Sequence, residues 1–162
     1  KDLDVLAKAF VAVRKQRKDV ELFVVGDGPY MGELGNRILG RGGHLTGRLE
    51  GEDLSRAYAS GDIFVFPSTT DTYGNSVLEA QASGLPAIVT DMGGPQEIIV
   101  PGETGLTYHG RDAADLTEKI LDLTENETKR KDMARKAREL GESRSWRAAF
   151  DRVWSSVPDS WP

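Results

Sequence analysis

Two carboxylates, Asp71 and Glu79, flank a glycine turn at Gly74, and their spacing suits the binding of a sugar joined to a diphosphate. The turn leads into a predicted helix whose first amides, those of Asn75 and Ser76, have no partner inside the helix. Unpaired amides and the helix dipole both favour an anion at a helix N-terminus. The sequence therefore predicts a phosphate at the tip of this helix.

Glu79 lies one helical turn beyond Asn75 on the same face, about 5–6 Å further along the axis. A carboxylate is a good acceptor for two adjacent hydroxyls, so a ribose diol is its natural partner. Asp71 precedes the glycine turn and is placed to accept hydroxyls of a second sugar. The geometry alone leaves an ordinary alternative open, because helices often begin with Asn or Ser and carry an exposed Glu.

Short β-branched or aromatic runs alternate with helical patterns along the chain, which is typical of a parallel sheet covered by helices on both faces. We predict strands at about 21–25, 44–46, 62–66, 86–89 and 104–107. We predict helices at about 3–17, 30–40, 51–59, 75–83, 112–123, 126–140 and 146–155. The carboxylate pair follows the third strand, at the carboxyl end where open α/β sheets place their ligands. The fold class is therefore α/β and Rossmann-like.

The last predicted helix, within 145–156, carries an apolar stripe behind Ser145, the predicted N-cap. The stripe consists of Trp146, Ala149, Phe150, Val153 and Trp154. It has two possible partners, the chain's own domain or a further domain that precedes this chain.

Length, charge and cysteine content narrow the class of protein. The 162 residues suit a single domain, 1–162, and 21 Lys and Arg against 26 Asp and Glu give a net charge of −5, which disfavours a nucleic-acid partner. There is no cysteine, so disulfides and thiolate metal sites are excluded and a reducing compartment is allowed. No apolar run has the length of a membrane span. We expect a cytoplasmic protein.

Other candidate motifs are weaker. Gly26, Asp27 and Gly28 follow a strand as in a dinucleotide-binding turn, but Met31 stands where the third glycine belongs, which disfavours a nicotinamide cofactor. Asp2 and Asp4 begin a helix, where acids act as caps and complement the dipole, so we predict no metal there. Gly93 and Gly94 precede Pro95 and predict a turn into a short helix with a structural role.

The stretch DTYGNSVLEAQASGLPAIVTDMGG, followed by PQE and PGETGL, resembles the signature of the retaining glycosyltransferases of family four, which have the GT-B fold. LFVVGDGP, HLTGRLEGEDLSRAYASGDIFVFPS and SWRAAFDRVW extend the resemblance over nearly the whole chain. The resemblance implies a C-terminal, nucleotide-sugar-binding GT-B domain that acts with an N-terminal acceptor-binding domain of the same parent chain. It also implies that this fragment is inactive alone.

The resemblance assigns the donor sugar and phosphate contacts to the turn and the helix tip. Asp71 would contact the donor sugar, helped by the backbone amides at Tyr73 and Gly74. Asn75 and Ser76 would hold the distal phosphate.

The remaining roles fall on four residues. Glu79 would bind the ribose, Lys1 the diphosphate, and Arg48 and Leu49 would line the nucleobase. Lys1 and Asp71 are the candidate catalytic residues. The resemblance implies a donor that is a UDP or GDP sugar, no cofactor and no metal, and it allows peripheral membrane association of the parent protein only.

The chain departs from the family pattern in two ways. Asp71 stands where the family usually has Glu, so its side chain is one methylene shorter. The family's first strand and its Gly-Arg pair would precede Lys1, so we expect one strand and one positive charge to be missing here. Two alternatives stay open: a nucleotide-sugar epimerase or phosphorylase of the same fold, and a non-catalytic nucleotide-sugar-binding module.

Overall fold

The computed structural model describes residues 1–144, in which helices and strands alternate. The first part contains α1 (Leu3–Gln16), β1 (Leu22–Val25), α2 (Met31–Ile38), β2 (Gly43–Gly47) and α3 (Gly51–Ala59). The second part contains β3 (Phe64–Phe66), α4 (Asn75–Ala82), β4 (Ala87–Thr90), a short 3₁₀ helix (Gly94–Glu97), β5 (Gly105–Tyr108), α5 (Ala113–Glu125) and α6 (Glu127–Ser143).

The five predicted strands, and the six helices predicted before residue 144, are confirmed. The element ends differ slightly from the prediction, most at α6, which ends at Ser143 instead of about residue 140. The short helix predicted at Pro95 is present as the 3₁₀ helix. The helix predicted at 146–155, its Ser145 cap and the 145–156 segment lie outside the described residues.

All strand pairs are parallel, as predicted, but the strands form two sheets instead of one. One sheet has the order β1-β2 and the other β3-β4-β5, and no ladder joins them within residues 1–144. The outer strands are β1 and β2 in one sheet and β3 and β5 in the other. The missing first strand stays a prediction.

Helix α1 spans both sheets. Its buried side chains Val5 and Val13 belong to an apolar cluster against which Leu22 of β1 and Val65 of β3 both pack. The same cluster includes Ile88 of β4 and three buried side chains of α5. Burial of this cluster therefore holds the two sheets in one layer beneath α1 and α5.

Helix α4 covers the opposite face of the three-stranded sheet. Val77 of α4 packs in a second cluster with Ala87 and Val89 of β4, and Phe64 and Phe66 of β3 contact this cluster. All four residues of β4 are buried, as expected for a central strand with helices on both sides. The predicted Rossmann-like arrangement is thereby confirmed.

Helix α6 fixes the far end of α4. A β-carbon built on Gly141 would lie 2.5 Å from the backbone nitrogen of Ala82, so the two helix backbones are in direct contact there. Met133 and Ala137 bury the inner face of α6. The helix that carries Asn75 and Glu79 is therefore held rigidly at its C-terminal end.

Candidate donor-binding site

The loop from Pro67 to Gly74 joins β3 to α4 at the carboxyl edge of the three-stranded sheet. Two neighbouring segments fix its backbone. The buried phenol of Tyr108 donates to the carbonyl of Pro67 at 3.2 Å, and the amide of Gly94 donates to the carbonyl of Asp71 at 3.1 Å. The loop that carries Asp71 is thus positioned by β5 and by the 3₁₀ helix.

Gly74 immediately precedes α4, as predicted. Its backbone, with φ −118° and ψ 70°, is not in the left-handed region that favours glycine. A β-carbon there would lie 3.1 Å from Cγ2 of Val77 and 3.3 Å from Cδ1 of Ile98. The loop therefore approaches the core closely here, and a larger residue would require these side chains to shift by a few tenths of an ångström.

The tip of α4 presents free amides, as predicted. Val77 and Leu78 donate their amides to the carbonyl of Gly74, at 2.8 and 3.2 Å. Within residues 1–144 no acceptor is found for the amides of Asn75 and Ser76. Two unpaired donors at the positive end of the helix dipole favour an anion at this tip.

The structure brings together the two candidate catalytic residues. Lys1 Nζ lies 3.6 Å from Oδ2 of Asp71 and 5.3 Å from the ring centroid of Phe66. The Asp71 oxygen is buried and has no hydrogen-bond partner among the described residues. The ammonium of Lys1 thus lies near both the Phe66 ring and the carboxylate of Asp71, which the loop carries.

Asp2 does not cap α1 with its side chain, contrary to the prediction. Its backbone adopts the left-handed conformation, with φ 46°, and its carboxylate instead accepts from the hydroxyl of Thr69 and lies 3.8 Å from Nε of Arg111. Arg111 also has a positive φ, 66°. Asp2 therefore ties the start of the chain to the loops that follow β3 and β5.

Glu79 is exposed on α4, one turn beyond the helix tip as predicted. Its Oε2 accepts a hydrogen bond of 2.9 Å from the phenol of Tyr58 on α3. Burial, followed by this hydrogen bond to Glu79, raises the pKa of Tyr58 above its usual range. Sequence reasoning missed Tyr58, because nothing in the spacing of α3 and α4 indicates which faces meet.

Arg48 and Leu49 follow β2, at the carboxyl edge of the two-stranded sheet. Arg48 is exposed and pairs with Glu50 at 2.7 Å, while Leu49 is half-buried. No hydrogen bond or ion pair in the described part of the chain links Arg48 to the loop with Asp71 or to α4. Arg48 and Leu49 thus follow the carboxyl end of β2, as the loop with Asp71 follows the carboxyl end of β3. The structure does not bring them into contact with that loop.

Tyr73 is one of the most exposed large apolar side chains described, next to the free amides of α4. No group of three or more histidine, aspartate or glutamate side chains in the described part is placed to hold a metal ion. Among the helices of residues 1–144, none combines the length and apolar character needed to cross a membrane.

The structure resembles the C-terminal domains of solved GT-B glycosyltransferases. TarM of S. aureus superposes with a TM-score of 0.85 at 23% identity, over 96% of this chain and 32% of that chain. The C-terminal domain of a group 1 glycosyl transferase, LpcC from Francisella tularensis, superposes with a TM-score of 0.78 at 23% identity, over 86% of this chain and 77% of that one. These similarities confirm the predicted fold.

Sequence comparison identifies relatives with assigned activities. A sulfoquinovosyl transferase of Arabidopsis thaliana is 37% identical over 145 residues, which are 88% of this chain and 28% of the relative. A GDP-mannose-dependent α-mannosyltransferase of Corynebacterium glutamicum is 35% identical over 147 residues, 87% of this chain and 32% of the relative. The chain thus spans about a third of the length of these two relatives.

The family model described as glycosyl transferases group 1 matches residues 1–126, which include the loop after β3, the tip of α4 and Glu79. The match also includes Lys1 and the Arg48–Leu49 pair. The chain therefore belongs to the group 1 glycosyl transferase family.

Proposed function

We propose that this chain is the donor-binding domain of a retaining glycosyltransferase that uses a nucleoside diphosphate sugar. The observation that carries the proposal is the arrangement around α4. The free amides of Asn75 and Ser76 lie at the helix tip, and Glu79 lies one turn further along. Lys1 Nζ lies 3.6 Å from Oδ2 of Asp71, which is on the preceding loop. One site thus combines hydrogen-bond donors for an anion, a carboxylate that can accept from a ribose diol, and a carboxylate that can accept from sugar hydroxyls.

The chemistry follows from where charge develops. When the sugar leaves the diphosphate, negative charge grows on the phosphate oxygens, and preorganised donors stabilise it. Lys1 and the amides at Asn75 and Ser76 are these donors, and the amides are fixed because α4 is held at both ends. Asp71 and the amides at Tyr73 and Gly74 orient the departing sugar.

The nucleotide is bound at two further points. Glu79 accepts from the ribose hydroxyls, and Arg48 and Leu49 line the base. UDP and GDP are the candidate nucleotides, because TarM is described in a complex with UDP and the C. glutamicum relative is GDP-mannose-dependent. We propose that the acceptor binds to another domain of the parent protein, since this chain spans only about a third of these relatives.

The test is calorimetric titration of the intact protein with UDP and GDP. We expect one of them to bind and Glu79→Ala to weaken it at least tenfold, which corresponds to about 1.4 kcal/mol. Glu118→Ala is the matched control, because Glu118 is an exposed helical glutamate on α5. If neither nucleotide binds to the intact protein, the proposal is wrong.

A transfer assay tests the catalytic half of the proposal. The intact protein is incubated with UDP-glucose and GDP-mannose, and release of the nucleoside diphosphate is measured with and without added sugar or lipid acceptors. We expect release from one donor, and we expect it to fall with Lys1→Gln. Binding without any release from either donor would instead support the alternative of a non-catalytic binding module.

A further inference from the structure

We propose that Tyr58 is a positioning residue for Glu79: its phenol holds one carboxylate oxygen, so that the other faces the ribose diol of the donor. This inference rests on the proposed function, because Glu79 has a ribose role only if the chain binds a nucleoside diphosphate sugar. Tyr58 lies on α3, outside the stretch from Asp71 to Glu79 that carries the proposed contacts to the sugar and the ribose.

The hydrogen bond is specific to one oxygen of the carboxylate. The phenol oxygen of Tyr58 lies 2.9 Å from Oε2 of Glu79 and 3.5 Å from the carbonyl oxygen of Ser76. A phenol has one proton, and it goes to the nearer, charged acceptor. Oε1 is left free to accept from a ligand.

Orientation matters because Glu79 is exposed. A free glutamate samples several rotamers, and binding a diol would have to select one of them at an entropic cost. The contact with Tyr58 restricts the carboxylate before the ligand arrives. Tyr58 therefore acts by preorganising an acceptor and not by touching the nucleotide.

The position of the phenol depends on β3. The ring of Tyr58 lies 5.8 Å from the ring of Phe64, in a tilted arrangement, and Phe64 stacks on Phe66 at 6.2 Å. Helix α3 itself has no buried residue, so this contact is one of its few attachments to the sheet. Replacement by phenylalanine keeps the ring contact and removes only the hydroxyl.

The phenol of Tyr58 remains a hydrogen-bond donor near neutral pH. Burial and the hydrogen bond to Glu79 both raise the pKa of Tyr58 above its ordinary value of 10.0. Tyr58 is therefore neutral and protonated near neutral pH, and its hydrogen bond to Glu79 does not switch off there.

The experiment compares a nucleotide that has the diol with one that lacks it. UDP and GDP, and their 2′,3′-dideoxy analogues, are titrated into the intact protein and into its Tyr58→Phe, Glu79→Gln and Tyr30→Phe variants. We expect Tyr58→Phe to weaken the better-binding diphosphate about threefold to tenfold and to leave its dideoxy analogue unchanged. Tyr30→Phe is the matched control, since its phenol makes only a 3.5 Å contact to Asp4, outside the proposed site.

The possible outcomes are distinct. Equal weakening of both nucleotides by Tyr58→Phe, or no weakening of either, overturns the role of Tyr58 when Glu79→Gln weakens the parent diphosphate and spares its dideoxy analogue. If Glu79→Gln weakens both nucleotides equally, or weakens neither, the ribose assignment is wrong and the role of Tyr58 with it. If no nucleotide binds, the proposed function itself fails.

Discussion

A β-carbon built on Gly94 would lie 1.9 Å from the carbonyl oxygen of Thr72, so the backbones of these two residues are in direct contact. The amide of Gly94 also donates to the carbonyl of Asp71 at 3.1 Å, and Gly93 beside it has φ 79°. The sequence indicated only a structural turn here. The structure shows that this turn supports the loop that carries Asp71, and so it positions a proposed site residue.

Gly94→Ala should damage the site more than the fold. The added methyl cannot be accommodated without moving the loop at Thr72, and overpacking of this kind costs about 1–3 kcal/mol. We expect affinity for the better-binding nucleotide sugar to fall at least tenfold, measured by calorimetry on the intact protein.

Gly32→Ala provides the control for that substitution. Gly32 lies in α2, and a β-carbon there would meet nothing within 4 Å. Alanine is favoured over glycine in a helix by about 1 kcal/mol, so this variant should be at least as stable as the parent and bind normally. Normal donor affinity in Gly94→Ala would show that the contact with Thr72 does not position the site.

Lys1→Gln should weaken diphosphate binding selectively. The lysine ammonium is held over Phe66 and beside Asp71, so its removal takes a cation from the phosphates and leaves the carboxylate uncompensated. We expect UDP or GDP affinity to fall about tenfold and the corresponding monophosphate to be affected less than threefold.

Lys8→Gln is the control for charge alone. Lys8 pairs with Asp4 on α1 at 2.6 Å and lies outside the proposed site. Lys8→Gln removes the same unit of charge as Lys1→Gln, so the long-range electrostatic effect on an anionic ligand should be similar in both variants. Equal weakening of the mono- and diphosphate by Lys1→Gln would mean that Lys1 does not contact the distal phosphate.

The fold could be predicted from the sequence because its strands are locally distinctive. The apolar run PAIV predicts β4, whose residues are all buried. The helical pattern that follows Gly74 predicts the helix that begins at Asn75. The division into two sheets could not be predicted, because pairing depends on which strands are neighbours in space. Neighbour relations are set by long-range packing, which periodicity does not contain.

The sequence predicted the features of the candidate site that lie within one helix, but not the contacts between residues on different elements. The free backbone amides of Asn75 and Ser76, and the position of Glu79 one turn further along the helix, follow from helix geometry alone. The contact of Tyr58 with Glu79 joins residues on different helices, and the side-chain contacts of Asp2 run to Thr69 and Arg111. Contacts of this kind depend on how elements pack, so spacing within one element does not reveal them.

Thr104→Val should destabilise the fold around the C-terminal half of α4. The Thr104 hydroxyl is buried and accepts from Nε2 of Gln81 and from the amide of Val100, both at 2.9 Å. Valine has nearly the same shape but removes the acceptor of the buried Gln81 amide and of the part-buried Val100 amide, at a cost of about 1–3 kcal/mol. Chemical denaturation of the variant should show this loss in the free energy of unfolding.

Thr107→Val is its matched control, three residues further along the chain on β5. The Thr107 side chain is half-buried, and no hydrogen bond of its hydroxyl is found within the described residues. Valine is also favoured in strands, so we expect a change of less than about 0.5 kcal/mol. Similar losses in both variants would show that the network of Gln81 and Thr104 adds nothing specific.

His109 and Asp91 form an ion pair whose strength depends on pH. The imidazole Nδ1 lies 2.8 Å from Oδ2 of Asp91, and this contact, supported by Asp115 and Asp112, raises the pKa of His109 above 6.5. The same contact, with the amide of Gly110, holds the pKa of Asp91 below 3.8. The pair therefore stabilises the folded state most fully between pH 3.8 and 6.5.

The contribution of the His109–Asp91 pair to stability is lost above and below this pH range for different reasons. As pH rises through the raised pKa of His109, the imidazole loses its proton, and as pH falls through the lowered pKa of Asp91, the carboxylate gains one. Because the His109 side chain is 80% exposed, solvent screens the pair and the change in melting temperature should be small. An NMR titration of the His109 imidazole should give a midpoint above 6.5, and Asp91→Asn should lower it. An unchanged midpoint in that variant would show that Asp91 is not the group that raises the pKa of His109.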